Sequence, residues 1–188
     1  MAKYQIDSIQ YWPPFEHGGT QFSLSHLNVH EITFEGLKHS YTFVVTYGLH
    51  CFAKDDTSYN IPLIYEDGRE KIRVCMERYE ASKQIKNILQ KLPTMALYHT
   101  AAERFFTLDM MNSATGQVEP YKICVAFYKE KRLLRMHILS AFFARTGPGA
   151  FGVAIPNKSM SIFKIALDTA ASPRYAMGPK EARNRIKK

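Results

Sequence analysis

Apolar residues recur at every second position through residues 41–52. Tyr41, Phe43, Val45, Tyr47, Leu49 and Cys51 fall on one side, and Thr42, Val44, Thr46, Gly48, His50 and Phe52 on the other. Side chains alternate faces along a strand, so the run reads as a two-sided β-strand that ends by presenting a histidine. His50 shares its side with two threonines and a glycine, away from the tyrosine-rich face. Residues 30–35 alternate well enough for one short strand. The runs at 61–65 and 71–76 flank Asp67-Gly68, a hairpin signal. Three further runs, 103–110, 121–128 and 133–143, are joined by short polar connections, which predicts an antiparallel meander. In the last, Arg135 and His137 share one face, and Leu134, Met136 and Ile138 the other.

The period changes at 80–92. Ala81, Ile85, Ile88, Leu89 and Leu92 recur at helical spacing, Lys83 and Lys86 face outward, and Pro93 stops the helix. A second, short helix is expected at 160–171, carrying Ile162, Ile165 and Ala166. The expected fold class is α+β, with a twisted antiparallel sheet of about five to six strands packed against one main helix. Residues 1–40 read as an irregular N-terminal segment and 41–145 as the α+β core domain. Residues 146–171 read as a loop and short helix, and 172–188 as a basic tail.

Composition narrows the class. The 188 residues suffice for one domain, and no apolar run is long enough for a membrane helix. The N-terminus lacks the apolar stretch of a signal peptide, so a cytoplasmic location is expected. Cys51, Cys75 and Cys124 have no paired spacing, which points to buried reduced thiols and away from zinc or disulfides. The net charge is +8. The tail alone holds Arg174, Lys180, Arg183, Arg185, Lys187 and Lys188 against Glu181. Such a balance favours polyanionic partners, RNA first among them.

No phosphate-binding loop, serine-hydrolase elbow or zinc-protease helix motif occurs, and no metal or cofactor is expected. What remains is a set of histidines, arginines, lysines and tyrosines on or beside sheet elements. Metal-independent RNA cleavage draws on this mixture: a base for the 2′-hydroxyl, an acid for the leaving oxygen and a cation for the phosphorane. Histidine suits either proton transfer near neutrality, and arginine grips phosphate with two donors. The candidate catalytic residues are His50, His137 and Arg135. The candidate substrate-binding residues are Arg78, Tyr79, Lys83 and Arg104. The plainer reading of the same histidines is as partly buried residues hydrogen-bonded to backbone.

Several segments carry a family resemblance. Tyr47-Gly-Leu-His-Cys-Phe52, Glu77-Arg-Tyr-Glu-Ala-Ser82 ahead of an apolar helix, Glu103-Arg-Phe-Phe-Thr-Leu108, Tyr121-Lys-Ile-Cys-Val-Ala-Phe127 and Leu134-Arg-Met-His-Ile-Leu-Ser-Ala-Phe142 follow one another in order. In this layout the chain resembles small bacterial and phage proteins of the RelE/barnase-like ribonuclease toxin superfamily. The resemblance implies a ribonuclease acting as a toxin or antiviral defence effector, with an acidic antitoxin or complex partner. The alternatives are a nucleic-acid-binding module that does not cut, and a protein-interaction subunit of a phage or defence complex.

Overall fold

The computed structural model describes residues 11–68, 70–99, 104–130, 132–155 and 159–171. The basic tail at 172–188 lies outside the described residues. The chain opens with a small ribbon, β1 (Phe15–His17) and β2 (Thr20–Phe22), followed by a 3-10 turn at Ser25–Leu27. The hairpin β3 (His30–Glu35) and β4 (Ser40–His50) comes next, then a second hairpin, β5 (Asn60–Glu66) and β6 (Lys71–Cys75). Helices α1 (Met76–Ser82) and α2 (Ile85–Leu89) lead into β7 (Leu97–His99), β8 (Arg104–Asn112), β9 (Gln117–Glu130) and β10 (Leu133–Phe143). The described chain closes with β11 (Ser159–Met160) and α3 (Ile162–Ala171).

The main sheet corrects the expected architecture. It has seven strands in the order β11-β7-β8-β9-β10-β4-β3 and is mixed, because β4 runs parallel to β10. The meander β8-β9-β10 is antiparallel, as short connections require. Two strand-like runs expected in the sheet form the separate ribbon β5-β6 instead. Pro62 lacks a ladder donor, and the register slips between Asn60 and Ile64, so β5 is poorly suited to a sheet interior.

The single main helix is also corrected. The region expected to be one helix at 80–92 is split into α1, α2 and a 3-10 turn at Leu92–Thr94. Ser82 marks the break. Its hydroxyl donates to the Tyr79 carbonyl at 2.7 Å, and the following amides of Lys83 and Gln84 bond three residues back, to Glu80 and Ala81. A serine hydroxyl that competes for a helix carbonyl tightens the last turn. α3 begins where Ser161 Oγ accepts from the Lys164 amide at 3.2 Å, a side-chain cap on its first turn.

The tyrosine-rich side of β4 faces the core. Phe43, Val45, Tyr47 and Leu49 are buried against Ile123, Val125 and Phe127 of β9 and Met136 and Ile138 of β10. Tyr79, Ile85, Ile88 and Leu89 of the helices join the same cluster, as do Trp12, Leu24, Leu27, Ile162 and Ile165. Each such fully buried side chain contributes about 1.5–3 kcal/mol over leaving it in water. No helix among the described residues is long and apolar enough to cross a membrane.

A candidate anion site at the end of β4

The parallel pair β4-β10 sets the geometry of the site. Thr46 lies opposite His137 and His50 opposite Ser140, with a register shift on β10 between Ile138 and Ser140. Gly48 sits at that shift. A Cβ there would come 2.9 Å from the Leu139 carbonyl oxygen and 3.5 Å from His137 Nε2. The missing side chain lets the two backbones close together beside the buried His137.

Past His50 the chain turns back sharply, with amides of Cys51, Phe52 and Ala53 bonded to the carbonyls of Gly48 and Leu49. Arg78, in the first turns of α1, clamps this corner. Its Nη1 donates to the His50 carbonyl at 2.7 Å and to the Ala53 carbonyl at 3.3 Å, and its guanidinium lies 4.9 Å from the Phe142 ring centroid. The bonds from Lys54 to Arg73 and from Cys75 to Phe52 then hold the β5-β6 ribbon alongside.

The result is a cleft of about 490 Å³ lined by His50, Lys54, Glu70, Arg78, His137 and Ser140, with Gly48 and Leu139 in its wall. His50 Nε2 is 3.1 Å from Glu70 Oε1, and both side chains are more than two-fifths exposed. His137 is buried, with Nδ1 at 2.9 Å from Thr46 Oγ1. Burial pushes the Arg78 guanidinium below its usual value, opposed by Cys75, Cys51, Tyr121 and Glu77. Arginine stays charged regardless. Among the described residues no carboxylate lies within ion-pair distance of Arg78. The cleft therefore borders a desolvated cation without a partner carboxylate, an arrangement that attracts anions. Cys51 beside it is no nucleophile, since burial pushes its thiol up to about 12. No cluster of three or more metal-ligating side chains occurs among the described residues.

The structure brings three of the seven candidate site residues together: His50, His137 and Arg78. Arg135 lies two residues before His137 on β10, buried, with Nε 3.4 Å from Glu130 Oε2, and it does not line the cleft. Tyr79 is buried between Phe15, Phe22 and His26, its hydroxyl donating to the Ser23 carbonyl. Lys83 sits over that ring and pairs with Glu80 at 2.7 Å. Arg104 stands at the opposite side of the sheet, beside β7 and under the field of Asp168. Lys54, Glu70 and Ser140 line the cleft without any sequence signal, because the β4-β10 register and the return of the β5-β6 ribbon place them there.

A family model described as the YjaZ family matches residues 14–170. The chain is also similar to Protein YjaZ of Escherichia coli (strain K12), 28% identical over 145 residues, which is 71% of this chain and 80% of the relative. No solved structure matches. These findings overturn the resemblance to the RelE/barnase-like ribonuclease toxins: the segments quoted for it fall within the span of the YjaZ family.

Proposed function

The chain belongs to the YjaZ family, and from that premise we propose that the cleft at the end of β4 binds a phosphate group of single-stranded RNA. The observation that carries this reading is the buried Arg78 guanidinium, bonded to backbone carbonyls and without a carboxylate at ion-pair distance among the described residues, beside His50, His137, Lys54 and Ser140 in one cleft. Arg78 supplies a fixed positive field, and Lys54 and Ser140 supply donors at the rim. A chain of net charge +8 steers polyanions toward such a site.

One feature favours a second reading, metal-independent cleavage of the bound RNA. His50 is half-buried and held by a carboxylate at 3.1 Å, the setting of a general base, while His137 reaches the same cleft from the adjacent strand. A toxin or defence role had its support in the overturned resemblance and loses that support.

Fluorescence anisotropy with a labelled oligoribonucleotide tests binding. Affinity falls steeply with salt, since each neutralised phosphate releases counterions. Lys54→Ala and His50→Ala weaken binding, and Lys86→Ala on the outer face of α2 does not. Equal affinity in all three variants would remove the cleft from consideration. Incubation with RNA in EDTA separates the two readings, because shortened products that disappear in His50→Ala require cleavage.

A further inference from the structure

The β5-β6 ribbon is anchored at its base and carries one acidic side chain from its tip into the cleft. Gly68 turns the tip with φ of +80°, and the Glu70 amide donates to Asp67 Oδ1 at 3.1 Å. Glu66 and Lys71, one step toward the base, pair at 3.0 Å. Lower down, Tyr65 donates to the Pro13 carbonyl at 2.8 Å and packs on Trp12 and Phe52. The backbone of Glu70 is thus fixed, and its carboxylate is aimed at His50.

This contact does little for stability, because a half-exposed pair is worth a small fraction of a typical domain's total. Its position is the informative part. Among the described residues that line the cleft, Glu70 is the sole carboxylate beside an arginine, a lysine, two histidines and a serine hydroxyl. We propose that Glu70 is a built-in stand-in for the ligand's anion: its carboxylate occupies the phosphate position beside His50, and a bound phosphate displaces it. The inference rests on the phosphate-site reading above and adds a regulatory element to it. The ribbon holds the cleft closed to weak or singly placed anions, and a ligand must outcompete a tethered carboxylate to enter.

Glu70→Gln keeps the shape and removes the charge. Glu66→Gln makes the same change in net charge on the same ribbon, outside the cleft. Calorimetric titration with inorganic phosphate and with uridine 3′-monophosphate reads the difference. Glu70→Gln is expected to bind both probes about two- to fivefold more tightly than the unmodified protein, the range for loss of one competing exposed polar contact. Glu66→Gln is expected to match the unmodified protein. Equal or weaker binding by Glu70→Gln, with measurable binding by the unmodified protein, would overturn the stand-in and leave Glu70 as a residue that orients His50. Absence of binding by every form would overturn the phosphate-site reading itself, and the stand-in with it.

Discussion

At position 48 the chain has no room for a side chain. The wall that a Cβ would meet is backbone, the Leu139 carbonyl at 2.9 Å and the Ile138 carbonyl at 3.3 Å, so no rotamer change relieves the clash. Gly48→Ala should destabilise the fold by about 1–3 kcal/mol, as overpacking of a tight contact does. A urea melt measures this, and a midpoint unchanged from the parent would mean that β4 and β10 do not meet as described. The Arg145 network is the second residue-scale test. Arg145 donates to Glu119 at 2.9 Å and also to Glu77, while Asn112 reaches both carboxylates. Burial opposes ionisation of Glu119, but the hydrogen bonds from Thr115, Arg145 and Asn112 outweigh it and hold its carboxyl below the usual range. The associated stability is present above the unfolded value of 4.5 and lost as pH falls through the lower folded value. Arg145→Met should cost about 1–3 kcal/mol at neutral pH by removing the charge-assisted hydrogen bonds to Glu77 and Glu119, and should flatten the loss of stability below pH 4.5. Thermal melts from pH 3 to 7 would show both.

At the scale of elements, the alternation at 41–52 was sufficient to place a strand that ends at His50, its buried tyrosine side and its half-buried histidine. It could not place the partner. A strand's own pattern carries no mark of whether its neighbour runs parallel, and β4 pairs with a strand more than eighty residues later. That pairing is what brings His137 and Ser140 to His50. The helix at 80–92 was legible as an apolar face, but its break was not, since Ser82 interrupts it through a hydroxyl bond that also engages His26 Nε2 at 2.7 Å. Tyr79 on α1 and Lys83 just after it followed the same logic in reverse: chemically suitable side chains that the packing turns toward Phe15, Phe22 and Glu80. The edge strand β3 offers its own test. Antiparallel pairing of two copies about Thr33 would set Glu31 against Glu35, and like charges directly opposite oppose such pairing. The protein is expected to be free of β3-mediated dimers. Glu31→Thr combined with Glu35→Thr should raise self-association in light scattering, and unchanged monodispersity would show that these glutamates do not guard the edge.

For the whole molecule, acid sensitivity and charge both follow from where ionisable groups lie. Burial is the largest influence on His26 and pushes it down to about 4 from 6.5, with Lys83 acting the same way; burial also lowers His30. His26 stays neutral in the fold while the unfolded chain takes up a proton, so stability falls as pH drops from 6.5 toward 4, and the lowering of His30 acts in the same direction. His26→Gln should lessen that slope in melts between pH 7 and 4, whereas an identical slope would assign it to other groups. The net charge of +8 pointed to polyanions without naming a place for them. The place we propose for them is the cleft at the end of β4, where Arg78 is buried with no described carboxylate at ion-pair distance and two histidines beside it. The most direct measurement is a titration of ¹⁵N-histidine-labelled protein with uridine 3′-monophosphate, followed at the imidazole resonances. Binding in the cleft shifts His50 and His137 together along one curve while His17, His26 and His39 stay still. Shifts confined to histidines outside the cleft, or none at saturating nucleotide, would contradict it.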